Sequence, residues 1–550
     1  MSYRPYYPPQ PLLFGYDPVR DLPPDHLARL VEQVVEETVI PPRRAPGVGQ
    51  PPYDPRLCVK VLIYGYSTGI RSSRRLEQAC DESLPFLYLT RGDTPSYRTL
   101  CTARTEQGEL LQAVWEGLFA IAAAVGLTRV GRVVVDSSRL RADVGPEAVL
   151  RREEFAAMRA ELERILAEAA TAEAADAEAA AGGARGTRLG TVVPHEHMRE
   201  ILRRMRGAAS SPAPSRPAGG HPTGEPTAAP TAPSVSATLP LEDVPARATP
   251  EVPPADPTDP EVSPMTLRML ARVQQALRAL AAAEADGRKH LGLTDPDARM
   301  MPLGRERHVR EGHAWEIAVD AGLLVAALTT QANTDQERLA PLLAAAELQE
   351  PAGIQAVDAD SGYYTGDAVA ALAQAGIDTC IPDSQTAGDL HRSQEIGTCR
   401  ARRGGQVPFT YDAAADLYRC PEGNLLRFER QRHRKGQEVR LYKAARPCTG
   451  CPLAADCLVQ VETEYRTLAM GVHHELLGEL RKRFREPDHV TRYHRRGDAV
   501  ETVFGFLRGV LGYVRWQLRG AQKIACEGQL FAAAYQFRKV HTAMRAALQS

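Results

Sequence analysis

A short apolar run ending in an acid, followed by a long stretch unlike a globular core, most constrains the fold of this 550-residue chain. The β-branched residues 133–135 predict a buried strand over 130–136, with Asp136 at its end. Residues 207–264 then hold 15 of the 42 prolines, among Ser, Thr and Ala. Such a tract buries too little apolar surface to offset chain entropy, so we predict disorder there. Any sheet containing the first strand must therefore be completed by strands from beyond this tract.

Strand and helix patterns resume near residue 291. Trp315–Asp320 and Leu323–Thr330 predict a hairpin joined at Ala321 and Gly322. Further strands are predicted at 354–360 and 379–382, with helices at 335–348 and 366–375, and helix is also expected over 146–205 and 264–285. This order predicts a mixed α/β sheet, and it matches an RNase H-like core if residues 145–300 are treated as an insertion.

The N-terminal part is predicted to be all helical. Helices are expected over 25–40, 56–67, 73–81 and 96–125, because apolar residues recur there at helical spacing after capping residues. Short helices with tight turns are compatible with helix-turn-helix DNA binding. A helical packing or dimerisation domain explains the same pattern, and the sequence leaves both interpretations open.

The overall net charge of −1 hides a basic C-terminal part. Residues 391–550 contain 28 Lys and Arg against 16 Asp and Glu, so this part can bind a polyanion. No apolar stretch reaches the roughly 20 residues of a membrane span, and the N-terminus lacks a signal-peptide core. We therefore expect a cytoplasmic protein, associated with the nucleoid when bound to DNA, whose ten cysteines are not a disulfide framework.

Three acids stand in settings that favour a metal site. Asp136 ends the first strand, Asp360 closes the strand over 354–360, and Glu501 lies beside the apolar stripe of a basic helix. Asp358 points to the same face as Asp360 and competes with it, and Asp143 is a weaker competitor of Asp136. Asp360 is favoured because Gly362 permits a sharp turn after it. Taken singly, each acid is more simply explained as a turn, cap or solvated residue.

Four cysteines form a second cluster. Cys448, Cys451 and Cys457, with Cys420 upstream, could supply four thiolates to a tetrahedral zinc. The alternative is a set of reduced structural thiols, since the spacer of five residues before Cys457 is wide for a zinc knuckle.

Basic residues near Glu501 are candidates for contact with DNA phosphates. They are Arg495, Arg496, Arg508, Arg515 and Arg519. Trp516 could stack on a displaced base, but its interpretation as a core residue is favoured.

The segments that carry these residues resemble the DDE-type transposases of bacterial insertion sequences. The matching segments are residues 54–77, Val135–Ser138, Ala318–Asp320, Asp360–Tyr363, Val500–Gly505 and 518–539. Related transposases carry a Tyr–Arg–Glu–Lys signature around the glutamate. Tyr493 and Arg496 have its spacing, but Arg496 is one residue too far from Glu501, and Arg508 stands at the Lys position.

The resemblance implies an RNase H-like core in which Asp136, Asp360 and Glu501 hold two Mg²⁺ or Mn²⁺ ions. It implies cleavage and strand transfer at the terminal inverted repeats of a mobile element, by a homo-oligomer, expected to be a dimer on DNA. Two alternatives are a catalytically inactive, transposase-derived DNA-binding protein and a stand-alone metal-dependent nuclease.

Six regions are expected along the chain. They are a helical DNA-binding domain (1–127), the first core strand region (128–144), a helical and Pro-rich disordered insertion (145–290), the catalytic core (291–385), a Cys-containing insertion (386–465) and a C-terminal helical part with Glu501 (466–550).

Overall fold

The computed structural model describes most of the chain in ten stretches. These are residues 17–38, 52–181, 264–303, 308–350, 352–392, 407, 409–434, 437–458, 463–471 and 473–549. The predicted disorder over 207–264, except for its last residue, and the predicted helix beyond 181 lie outside the described residues.

A six-stranded mixed sheet forms the centre of the molecule. Eight strands lie within residues 132–380: β1 (Arg132–Arg141), β2 (Val149–Arg151), β3 (His290–Gly292), β4 (Arg299–Leu303), β5 (His308–Asp320), β6 (Leu323–Thr330), β7 (Ala356–Asp358) and β8 (Asp378–Cys380). The sheet order is β4-β5-β1-β7-β8, with β6 also paired to β5. β5 is antiparallel to β1, β4 and β6, whereas β1, β7 and β8 are parallel. The predicted mixed α/β sheet with a hairpin is therefore confirmed.

The first strand is longer than its apolar run predicts. It continues to Arg141, because its pairing with β5 extends from Val134 opposite Val319 to Arg141 opposite Gly312. The prediction that Asp136 ends the strand was wrong, and Asp136 lies in mid-strand. By contrast, β7 ends at Asp358, so Asp360 lies two residues beyond its strand.

Seven helices precede the first strand: α1 (Pro18–Asp21), α2 (Leu27–Glu37), α3 (Pro55–Ser67), α4 (Ser73–Glu82), α5 (Leu84–Thr90), α6 (Tyr97–Glu106) and α7 (Gly108–Ala124). The all-helical prediction is confirmed, but the single helix expected over 96–125 is two. The break comes at Gln107, whose backbone N–H bonds to Ala103 while its own carbonyl starts the next helix.

Two helices follow the first strand on either side of the undescribed segment: α8 (Phe155–Ala181) and α9 (Pro264–Ala285). They pack together through a small apolar cluster that includes Leu162, Ile165 and Leu280. At their base β2 pairs antiparallel with β3, from Val149 opposite Gly292 to Arg151 opposite His290. The insertion therefore leaves and re-enters the core at one point.

Short helices flank the parallel strands: α10 (Leu339–Glu347), α11 (Gly366–Gln374) and α12 (Ser384–His391). Beyond them lies a second sheet of five antiparallel strands that the sequence did not predict. Its strands are β9 (Thr410–Asp412), β10 (Leu417–Arg419), β11 (Leu425–Arg434), β12 (Gln437–Ala444) and β13 (Thr467–Gly471). The short helix α13 (Ala454–Cys457) lies between the last two strands.

Three helices end the chain: α14 (His474–Arg483), α15 (Pro487–Gly509) and α16 (Ala521–Gln549). α16 contacts α3, α7 and β6, and one continuous apolar cluster includes residues of the N-terminal helices, the six-stranded sheet and α16. Trp516 is fully buried and donates to the His313 carbonyl at 3.2 Å, so its prediction as a core residue is confirmed. Within the described ranges, no helix combines the length and apolar character needed to cross a membrane.

A buried ion pair joins the N-terminal helices to the C-terminal part. Arg71 contacts the fully buried Glu527 at 2.9 Å and also donates to the carbonyls of Gly512 and Arg515. The same carboxylate accepts the backbone N–H groups of Gln517 and Leu518. Charge and backbone hydrogen bonds therefore fix the loop between α15 and α16 against the N-terminal helices.

Candidate functional site

The pairing of β1 with β7 places two predicted acids next to each other. The parallel register sets Val134 opposite Asp358, so Asp136 and Asp360, each two residues further on, reach the same level of the sheet. Side chains two apart on a strand share a face, and neighbouring strands are separated by about 4.8 Å. The structure therefore brings the Asp136 and Asp360 side chains together at the end of the parallel strands.

The electrostatics of Asp136 reflect this proximity. The pKa of its carboxyl is raised to about 7, first by loss of solvent and then by the charge of Asp360. The guanidinium of Arg496 and a hydrogen bond from the Ser137 N–H at 2.8 Å act in the opposite direction, and Asp335 adds to the rise. A buried carboxylate with a second carboxylate close to it favours a cation between the two.

Asp358, the competitor of Asp360, has different partners. Its side chain is fully buried, and it accepts from Arg132 at 2.8 Å and from the Arg492 guanidinium. Arg492 also contacts Asp378 on the neighbouring strand. Asp358 is therefore the centre of a structural ion-pair cluster that fixes α15 on the sheet.

A third aspartate, Asp335, lies beside this pair and was not found from the sequence. It accepts from the Ser137 hydroxyl at 2.9 Å and from Arg139 at 2.7 Å. A Cβ on Gly362 would stand 2.9 Å from an Asp360 oxygen and 3.0 Å from an Asp335 oxygen. The two carboxylates thus converge on the backbone of Gly362. Only glycine, which has no side chain, leaves room for this close approach. The sequence signal for this turn was Gly362 itself.

Helix α15 lies across the face of β1 that carries Asp136. Arg492 reaches Asp358, Arg496 acts on the charge of Asp136, and Arg508 donates to the Ser138 hydroxyl at 2.8 Å. The order of these contacts shows that α15 follows β1 in the same direction. Tyr493 packs under Arg496, whose guanidinium carbon lies 5.3 Å from the ring centre. Arg496 is thus a partner of the acid pair, whereas the sequence assigned it to DNA contact alone.

Glu501 lies between these contacts along α15 but is not joined to the acid pair. It is exposed, and among the described residues no hydrogen bond or ion pair links it to Asp136 or Asp360. Its Oε1 atom lies 3.9 Å from where a Cβ on Gly497 would stand, so the side chain folds back along the helix. In the described part of the chain, no three His, Cys, Asp or Glu side chains are arranged to hold a metal ion.

The remaining basic candidates differ in their surroundings. Arg495 is exposed on α15. Arg515 and Arg519 both pair with Asp143, at 3.5 Å and 2.8 Å. Asp143, the weaker candidate ligand, is therefore a partner of arginines and lies away from the acid pair.

The four candidate cysteines of the second sheet all line one cavity of about 230 Å³. Cys420 follows β10, Cys448 and Cys451 follow β12, and Cys457 ends α13. All four are free thiols.

Two models of known protein families match parts of the chain. Residues 18–106 match a transposase domain of the DUF772 family, and residues 419–541 match a transposase DDE domain. No curated protein and no solved structure matches the chain.

The first match covers α1 to α6, and the second covers β11 to β13 of the second sheet, the helix with Glu501 and most of α16. Between them lies the mixed sheet with Asp136 and Asp360, in the strand order expected of an RNase H-like core. Both matched families are transposase domains, and together the two matches support a DDE-type transposase of an insertion sequence.

Proposed function

We propose that this transposase catalyses metal-dependent DNA strand cleavage and strand transfer at the ends of an insertion sequence. The observation that supports this most is the parallel register of β1 and β7, which ends with Val134 opposite Asp358, two residues before Asp136 and Asp360. In α/β sheets, ligands bind in the crevice beyond the carboxyl ends of the strands. The proposal assigns Asp136 and Asp360 as metal ligands and Glu501 as the third.

The two aspartates fit a divalent cation in their chemistry. Carboxylate oxygens are the ligands preferred by Mg²⁺ and Mn²⁺. The raised pKa of Asp136 reflects burial first and then the charge of Asp360, and a divalent ion would neutralise that charge. A divalent ion held there supplies electrostatic activation of a phosphodiester and of the hydroxyl that attacks it.

The proposal requires the Glu501 side chain to turn toward the acid pair when metal and DNA are bound. Its helix supports this, because Arg496, five residues earlier, and Arg508, seven residues later, both reach β1. An exposed side chain with free rotamers needs no change in the backbone to move toward its own helix's contact face. Arg496 would hold the Asp136 carboxylate in its ionised form.

DNA is the proposed partner, and Arg495 and Arg508 are the arginines best placed to contact it. Both are exposed on the helix that carries Glu501. Arg515 and Arg519 would have to leave Asp143 to contact phosphates, so we propose a smaller contribution from them. Holding two element ends together favours a dimer on DNA.

The test is nicking of a supercoiled plasmid that carries the element ends, in the presence of Mg²⁺ or Mn²⁺. Alanine at Asp136, Asp360 or Glu501 is expected to reduce cleavage and strand transfer to background while leaving end binding intact. The matched control is Asp498→Ala, since Asp498 is an exposed acid on the same helix. Binding of Mn²⁺, followed by calorimetry, should weaken in the first three variants only.

Each result decides between functions. Full cleavage by the Glu501→Ala protein would remove Glu501 from the site. End binding without any cleavage would favour the inactive DNA-binding protein, and cleavage without preference for the element ends would favour a stand-alone nuclease.

A further inference from the structure

The five-stranded sheet that interrupts the core carries a cluster of thiols at one end. Cys420 lies in the turn between β10 and β11, Cys448 and Cys451 lie after β12, and Cys457 ends α13. These positions are up to 37 residues apart in the chain, yet the antiparallel pairing of β10, β11 and β12 brings their ends together. Topology therefore gathers the four sulfur atoms from three separate segments.

All four side chains line the same cavity. The cavity has a volume of about 230 Å³ and is also lined by Arg446, Arg466 and apolar residues of the second sheet. A cavity lined by four cysteines is an unusual way to end a small sheet, because apolar residues would fill it with less loss of packing.

The chain makes tight turns around two of the cysteines, and at Cys420 a backbone N–H is directed at the sulfur. The Asn424 N–H donates to the Cys420 Sγ at 3.2 Å, and Gly423 reverses the chain there with a φ of +74°. The Cys451 N–H donates to the Cys448 carbonyl at 3.2 Å, in a turn that contains Gly450 with a φ of +84°. Both glycines permit tight turns that a side chain would strain. N–H donors directed at sulfur stabilise a thiolate more than a thiol.

A buried cation accompanies the thiols. Arg466 is only 8 % exposed and lines the same cavity as the four thiols. Burial of a guanidinium is costly unless negative charge lies near it. A divalent ion with four thiolates has a net charge of about −2, which Arg466 would partly neutralise.

We propose that Cys420, Cys448, Cys451 and Cys457 bind one structural Zn²⁺ that closes the end of the second sheet. The four sulfurs line the cavity without converging to ligand distance, since the described residues contain no ready-made metal group. Binding therefore requires the side chains to rotate into the cavity, for which its volume leaves room. Four protein ligands complete a tetrahedral zinc and leave no position for substrate, so the site stabilises the sheet and takes no part in strand cleavage.

The test begins with the zinc content of the full-length protein, purified without chelator and measured by mass spectrometry of the metal. We expect about one zinc per chain, and below about a tenth in Cys451→Ser. Cys101→Ser is the matched control, because Cys101 is an exposed thiol on α6 and should leave the zinc content unchanged. Asp136→Ala should also keep its zinc, which separates this site from the proposed catalytic one.

A second measurement does not depend on the folding of any variant. Cobalt exchanged into the wild-type protein should show the strong visible absorption of tetrahedral Co²⁺ and sulfur-to-metal charge transfer. Alkylation mapped by peptide should be slow at the four cysteines and become fast after a chelator is added. Folded wild-type protein that lacks zinc after growth and purification with added zinc, alkylation of the four thiols at the rate of Cys101, or loss of zinc in Asp136→Ala would each overturn the proposal.

Discussion

Removal of the Glu527 carboxylate should strongly destabilise the protein. Glu527 is fully buried and accepts Arg71 at 2.9 Å, the Gln517 N–H at 2.9 Å and the Leu518 N–H at 3.0 Å. In Glu527→Ala these donors lose their acceptor, and the buried guanidinium loses its counter-charge. Breaking a buried ion pair by removing one partner costs about 3–5 kcal/mol. We therefore expect the free energy of unfolding to fall by this amount.

Glu527→Gln should lose less, about 1.5–3 kcal/mol, because an amide keeps one acceptor oxygen but no charge. Arg71 retains its bonds to the carbonyls of Gly512 and Arg515 and its position over the Phe531 ring, at 4.8 Å from the ring centre. Combining Glu527→Gln with Arg71→Met should therefore cost less than the two single changes added together, by about 1–3 kcal/mol.

The assay is urea unfolding followed by tryptophan fluorescence, since all three tryptophans are buried. The matched control is Glu479→Ala, which removes an exposed helical partner of Lys482 and should change the stability by at most about 0.5 kcal/mol. A loss below about 1 kcal/mol in Glu527→Ala would refute the argument that this ion pair joins the N-terminal helices to the rest of the molecule.

Two further predictions concern stability alone. Burial and the neighbouring Asp320 raise the pKa of the Glu350 carboxyl, so the folded state retains a proton that the unfolded state releases above about pH 4.3. The stability that this proton contributes should be complete below that pH and should decline as the pH rises toward the pKa of Glu350 in the folded state. In Glu350→Gln, the melting temperature should no longer fall with pH over this range. An unchanged dependence on pH would contradict the role assigned to Glu350. Gly528→Ala should lower the free energy of unfolding by about 1 kcal/mol, because its Cβ would lie 3.1 Å from Trp315 Nε1. Gly505→Ala, with open space around it, should raise the free energy of unfolding by about 0.5–1 kcal/mol, and equal effects at both glycines in urea titrations would contradict this difference.

The mixed sheet could be predicted because its strands are strongly patterned. The β-branched run before Asp136 and the hairpin around Gly322 have no competing helical interpretation. The extent of β1 could not be predicted, since residues 137–141 are polar or charged except for Leu140 and are held in the strand by pairing with β5. Long-range partners of this kind leave no local signal.

The five-stranded sheet was missed for a related reason. β11 is rich in Arg and Gln and has a bulge between Phe428 and Arg430, which disrupts the alternation expected of a strand. Asp335 was missed because it lies in a loop before α10, where an acid has no periodic context. Its role appears only when Gly362 and Ser137 are brought to the same edge of the sheet. The sequence could identify Asp136 and Asp360 as candidate acids, but it could not show which acids lie close together in the fold.

The pairing of β2 with β3 has a consequence for how the chain reaches its fold. β1 must find β5 across more than 160 intervening residues, and non-local pairing of this kind slows folding. Pairing of Arg151 with His290 closes that span early, so the core strands then meet across a much shorter effective loop. The entropy of loop closure rises by only about 0.6 kcal/mol per doubling of loop length, so we expect changes in chain length between α8 and α9 to cost the core little. Insertions and deletions should therefore be tolerated between α8 and α9 far more readily than in the turn at Gly362.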